Sequence, residues 1–381
     1  MPARRARCLS LLFAFVCLTG GASLSAQTNS GTALLKESIS LTGPVMWIDS
    51  GSPGMVLVVV RGNDVVIEGY GETAKGNGKE PDGKSLIRLG SISKSFTGTL
   101  LASLSLDGKV HLTDPLKMYA GGATVPSFGQ REITLLDLAT HSAGLPREIG
   151  DVPPNVKAFT WPTKEQRWSW LANYKLAWEP GQNAAYSNVG FDLLADALAT
   201  AAGKPYADLL HERITGPLGM NDTGVNPTKE QCDRLMLGSG IGGPGPCVES
   251  VATEGAGGVY STGADMAKWI QYNLEQDPTM WQVPTVAHAI YRPRQALQTA
   301  IGFDEAGPMS GIGLAWITMA ADGIRPMIVA KSGGGGGFMT YVAFAPGRNV
   351  GVFVAVNKVG FEMFYGMTQA ANDLIANLVT R

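Results

Sequence analysis

The chain has 381 residues, of which 45% are apolar and 16% charged. That suits a packed globular protein with one large core or two moderate ones, and excludes a disordered chain. The formal net charge is −2, with no basic patch interleaved with aromatics, so nothing points to a nucleic acid.

The first residues read as an export leader. Arg4, Arg5 and Arg7 precede an apolar run from Leu9 to Leu18, small residues follow, and cleavage near Ala26 is expected. The other reading, a membrane anchor, needs a run of about 20 apolar residues, longer than this one. Removing residues 1–26 takes three arginines and no acid. It leaves 27 basic against 32 acidic side chains, a net −5. An exported chain belongs in an oxidising compartment. Cys8 and Cys17 leave with the leader, so Cys232 and Cys247 remain. They are read as a disulfide, the alternative being two free buried thiols.

After a short helix over 32–42, strand signals begin. Met55–Arg61 is continuous and β-branched, a pattern expected of a strand covered on both faces. Gly62-Asn63 turns the chain, Asp64–Thr73 runs back, and Ser85–Leu89 is a third short strand, all antiparallel. Helical spacing takes over at Ser91, with Phe96, Leu100, Leu101 and Leu104 on one face and Gly108 closing the helix. Further helices are predicted over 133–140, 164–174, 190–202, 206–214 and 264–275. Strands return at Gly311–Met319, Arg325–Lys331, Phe338–Phe344 and Val350–Asn357, and a helix over 364–379 ends the chain. Strands at both ends imply a single antiparallel sheet built from both termini. The fold class is therefore α/β (α+β): residues 27–115 and 286–381 form a sandwich, and residues 116–285 form a mostly helical region.

Three short segments carry chemistry. Ser91-Ile92-Ser93-Lys94 joins a strand to a helix, so Ser91 lies at a helix N-terminus and Lys94 one turn on. A serine hydroxyl needs a neighbour to take its proton, and a packed lysine releases its own more readily than a solvated one. Tyr186-Ser187-Asn188 sits on a loop before a helix. Its tyrosine can shuttle a proton, and Asn188 offers a donor and an acceptor to an amide. Lys331-Ser332-Gly333 ends a strand and opens onto Gly334–Gly337. Its lysine can hold a carboxylate, Ser332 can bond the same group, and bare glycines let a peptide lie along the strand edge. The N–H groups of Ser91 and Gly334 can form an oxyanion hole. Each segment alone has a plain alternative: an N-cap serine, a packed tyrosine, a glycine hinge.

Together, in this order and context, the three segments resemble the serine β-lactamase and DD-peptidase superfamily. The tyrosine of the second segment resembles the class C branch, and no counterpart of the class A glutamate is seen. Thr140–Leu145, Pro217–Met220, Gly257–Thr262 and Gly313–Trp316 look like further family landmarks. Residues 159–168, 184–199 and 331–341 are similar to the D-alanyl-D-alanine carboxypeptidase/endopeptidases. One departure is Ser332, where threonine is commoner, and it keeps the hydroxyl. The resemblance implies a β-lactamase/transpeptidase-like fold with catalytic Ser91, Lys94 and Tyr186. Asn188, Lys331, Ser332 and Gly333 would bind substrate. It implies peptidoglycan stem peptides as substrates, penicillins that acylate Ser91, no cofactor and no metal. Peripheral membrane contact and oligomeric state stay open, as does the choice of Lys94 or Tyr186 as base. A class C-like β-lactamase, an esterase of the same fold and a non-catalytic penicillin sensor are the alternatives. His111, His141, His211 and His288 form no metal-binding pattern, and His141 is read as structural. Trp161, Trp168, Trp170 and Trp178 are read as packing, with some available to line a groove.

Overall fold

The computed structural model describes residues 22–274 and 281–380, and for residues 22–30 the backbone only. The leader read over 1–26, with Cys8 and Cys17, thus lies almost wholly outside the described residues. Among the described residues no helix is long and apolar enough to cross a membrane.

The apolar runs of both termini build one eight-stranded antiparallel sheet. Its order is Asp64–Gly71, Gly54–Arg61, Val350–Val356, Phe338–Ala345, Ile328–Gly335, Ile317–Met319, Gly311–Ile312 and Arg292–Pro293. The first hairpin pairs Arg61 with Asp64, and Gly62 takes the φ of 59° that this two-residue loop requires. Successive side chains of Gly54–Arg61 enter opposite cores. Val56, Val58 and Val60 pack with Phe96, Leu100 and Trp269, whereas Met55, Leu57 and Val59 pack with Phe364, Leu374 and Ile375. Each such valine contributes roughly 1.5–3 kcal/mol by leaving water. The period-2 alternation therefore puts helices on both faces: Ser93–Leu106 and Gly263–Asn273 on one, Phe361–Val379 on the other.

Several boundaries differ from those expected. The helix read over 32–42 runs Ala22–Ile39, and a second helix, Thr42–Ser50, follows it. Pro44 lies in the first turn of that second helix, where its missing N–H is not needed. The third strand is Leu86–Arg88, and it pairs with Tyr260–Thr262 in a separate two-stranded sheet. Gly311–Met319 is two strands around a tight turn in which Gly313 N donates to Trp316 O at 2.8 Å. The strand read as Arg325–Lys331 is Ile328–Gly335 and continues through the glycines. The helix Gly263–Asn273 packs directly on the sheet, where a Cβ at Gly263 would lie 3.0 Å from Val56. Its place in the sequence had put it with the helical region.

Cys232 and Cys247 are bonded. The loop they close lies over the tip of the Ile328–Gly335/Phe338–Ala345 hairpin: Ser239 N donates to Gly337 O and Gly245 N to Gly336 O, both at 3.2 Å. Replacing both cysteines by serine should lower stability by about 3 kcal/mol, the chain entropy of a loop of about 15 residues. Urea unfolding of the two proteins checks this.

Candidate active site

Ser91 stands where the Leu86–Arg88 strand turns into a helix. Gly90 takes a φ of 56°, Gly90–Ile92 forms a 3₁₀ turn, and the α-helix starts at Ser93. Ser91 thus lies just before the helix rather than in its first turn. Two hydroxyls staple the turn: Ser93 Oγ donates to Gly90 O at 2.7 Å, and Thr340 Oγ1 to Leu89 O at 2.7 Å. The second bond comes from the strand beside Ile328–Gly335, so turn and sheet are held together. A Cβ at Gly90 would sit 2.7 Å from Gly334 N. Only glycine permits this approach, which brings the Gly334 amide beside the serine turn.

Lys94 is fully buried, and all three of its donors are used. Nζ lies 3.1 Å from Ser91 Oγ, 2.6 Å from Asn188 Oδ1 and 2.7 Å from Ala256 O. Burial holds its pKa well below the ordinary lysine value, and the positive charges of Lys331 and Arg147 push the same way against Asp192 and Glu148.

The Tyr186 loop is fixed from three sides. Its backbone pairs with Ala300–Ile301, Tyr186 N donating to Ile301 O at 3.2 Å. Ser187 caps the Asn188–Ala202 helix, accepting from Gly190 N at 3.0 Å. His141 Nδ1 accepts from Ser187 N at 3.0 Å, and its ring stacks on Tyr186 with centroids 4.4 Å apart. That imidazole is kept neutral, its pKa far below the usual value through burial and the nearby Lys94, Lys331 and Arg147 charges. Tyr186 faces Lys94 and Lys331 Nζ, 4.8 and 5.2 Å from its ring centre, and Arg147 Cζ at 4.8 Å. Burial nevertheless raises its pKa, while a hydrogen bond with Ser91 opposes the rise, so the phenol keeps its proton at neutral pH.

Lys331 is buried, its Nζ donating to Ser332 O at 3.0 Å. Burial pulls its pKa down to about 8, with Glu305 opposing and Arg147 assisting. Ser91, Tyr186, Ser332, Gly333 and Gly334 line one cleft of about 270 Å³, together with Arg147 and Glu305. All three segments therefore converge.

Arg147, Glu148, Asp192 and Glu305 were missed from sequence. Glu148 accepts a hydrogen bond from Asn188 Nδ2. Asp192 Oδ1 accepts from Ala256 N at 3.0 Å, the residue whose carbonyl holds Lys94. Its i+4 spacing from Asn188 becomes a shared helix face only because the helix begins at Asn188, two residues before the predicted start at 190. Arg147 and Glu305 come from loops whose approach no local pattern encodes.

The other histidines lie elsewhere: His111 pairs with Asp114, and His288 packs edge-on to Trp316. None of the four tryptophans Trp161, Trp168, Trp170 and Trp178 lines the cleft. Among the described residues no group of three or more His, Cys, Asp or Glu side chains is placed to hold a metal ion.

Comparison with known proteins fits this geometry. The Beta-lactamase family model matches residues 39–376. AmpH of Escherichia coli strain K12, a D-alanyl-D-alanine-carboxypeptidase/endopeptidase, is 42% identical over 374 residues, 97% of this chain and 96% of that protein. A β-lactamase of the same strain is 30% identical over 330 residues, 80% of this chain and 84% of that one. The crystal structure of a β-lactamase/D-alanine carboxypeptidase from Yersinia pestis superposes with a TM-score of 0.85 at 45% identity, covering 91% of this chain and 99% of that one. A class C β-lactamase shares the fold with a TM-score of 0.74 at 20% identity. The antiparallel sheet with helices on both faces is thus the β-lactamase/transpeptidase-like fold, and the chain belongs to the β-lactamase family.

Proposed function

We propose that this protein is an exported serine hydrolase that cuts peptidoglycan stem peptides at D-Ala-D-Ala ends and at D-amino-acid cross-links, through an acyl-enzyme on Ser91. The observation that carries the reading is the buried Lys94 side-chain nitrogen, within hydrogen-bonding distance of three groups and 3.1 Å from Ser91 Oγ. The substrate class is supported by the 42% identity to AmpH along nearly the whole of both chains.

In this reading Lys94 is the base. Its pKa is depressed while that of Tyr186 is raised, so of the two groups the lysine gives up its own proton the more readily to become an acceptor, and the phenol is the one that keeps a proton to give. As Ser91 Oγ bonds the carbonyl carbon, its proton passes to Lys94. The N–H groups of Ser91 and Gly334 take the oxyanion. Tyr186 protonates the departing amine and is reprotonated from Lys94. Water then attacks the ester, losing its proton to the same pair, and Ser91 is restored. Asn188 orients Lys94 and the substrate amide, while Lys331 and Ser332 receive a terminal carboxylate. The export leader and the Cys232–Cys247 bond support a periplasmic location. Turnover of penicillins or cephalosporins at the same serine is the second reading, favoured by the 30% identical β-lactamase.

The test is purified protein incubated with defined muropeptides and a chromogenic cephalosporin, with Ser91→Ala as control. Failure to cleave any muropeptide, together with no labelling by excess penicillin, sinks the proposal. Lys331→Ala should cost the carboxypeptidase reaction about ten- to hundredfold in kcat/KM, the value of a charge-assisted hydrogen bond. The endopeptidase reaction should lose less. Lys331 is charged below its pKa of about 8, so carboxylate recognition is present at lower pH and lost as pH rises through 8. Equal losses in the two assays, or a flat kcat/KM profile between pH 7 and 9, count against this role.

A further inference from the structure

The Ser332 hydroxyl is already engaged: its Oγ donates to Glu305 Oε2 at 3.1 Å. Glu305 lines the cleft with Ser91 and Tyr186, and its charge acts on both Lys331 and Tyr186. The backbone that carries it is tied to the C-terminal helix. Thr368 Oγ1 donates to Glu305 O at 3.3 Å, and the amides of Gln369 and Asn372 each donate to Ala306 O at 3.0 Å. Asn372 is held in turn by Tyr341 Oη at 2.9 Å. Glu305 is therefore a braced carboxylate beside the subsite, rather than a surface acid that happens to hang nearby.

Ser332 has one proton to give. A ligand carboxylate arriving at Lys331 and Ser332 must take that proton from Glu305 and then face a like charge that has lost its partner. A neutral amide at the same place does neither. We propose that Glu305 is a specificity-determining residue: by holding the Ser332 hydroxyl it discriminates against a terminal carboxylate and shifts preference toward a leaving side that continues as an amide, as in a cross-link. This rests on the acyl-transfer reading above and refines its substrate class. Lys331 and Arg147 are the cations acting alongside Glu305 here, and both are retained in the test.

The experiment compares the protein with its Glu305→Gln variant on two stem peptides ending in D-Ala-D-Ala, one a free acid and one a C-terminal amide. It is run at pH 6, below the pKa of about 8 of Lys331 in the wild-type protein. Glu305→Gln should lower KM for the free acid by roughly fivefold, the scale of one partly solvated charge contact. KM for the amide and kcat for both should stay within about twofold. Equal changes on the two peptides, or none on either, overturn the proposal. If Glu305→Gln is too unstable to assay, Glu305→Ala is read by the same acid-to-amide ratio. A wild-type protein that cleaves neither peptide and is unlabelled by penicillin defeats the acyl-transfer reading instead, a distinct outcome.

Discussion

Replacing Lys94 by methionine should slow acylation of Ser91 by about 10²- to 10⁴-fold, the range for loss of a positioned base. Methionine keeps most of the lysine stem, so packing beside Tyr186 and Phe191 is retained. What disappears is the ammonium or amine between Ser91 Oγ, Asn188 Oδ1 and Ala256 O. Two opposing effects bear on stability. Asn188 and Ala256 each lose a partner for a buried acceptor, at about 1–3 kcal/mol apiece. Against that, the cost of burying a cation is relieved. The variant should therefore fold, and the loss should fall on rate. Stopped-flow labelling with a fluorescent penicillin separates the two effects when paired with a thermal melt. A folded Lys94→Met protein that is labelled within tenfold of wild type would transfer the role of base to Tyr186.

The site and the fold were legible to different degrees. Val56–Val60 and Gly62-Asn63 declare a buried hairpin because strand period and turn chemistry are local properties. Ser91 and Lys94 are three residues apart where a 3₁₀ turn runs straight into a helix, so their meeting follows from local geometry. The meeting of Lys94 with Asn188 depends on how two helices pack, and the sequence reading, which gave Asn188 to the substrate, did not foresee it. Gly311–Met319 was read as one strand although it holds the glycine of a tight turn. Gly313–Trp316 joins two strands there. Glu305 was invisible because its contact with Ser332 arises from a loop braced by the distant C-terminal helix.

Gly333→Ala should reduce acylation by about 100-fold and destabilise the fold by about 1–3 kcal/mol, through one added methyl group. Gly333 is not in the left-handed region, so alanine meets no backbone strain there. The obstacle is space. Its Cβ would fall on the Leu89 carbonyl oxygen and the Thr340 hydroxyl, and 3.1 Å from Ile92 N. Those atoms form the hydrogen bond that staples the serine turn to the sheet, and Leu89, Ile92 and Thr340 are fully buried. None can retreat into solvent, so the Ile328–Gly335 strand must move away from the Gly90–Ile92 turn. The Gly334 amide moves with it, which separates the two N–H groups proposed to hold the oxyanion. Gly347→Ala is the matched control, since its Cβ meets nothing within 4 Å. Penicillin acylation rates and melting temperatures for the pair decide the matter. If Gly333→Ala matched Gly347→Ala in both, the strand and the serine turn would not be in the contact described, and the two amides could not serve one oxygen.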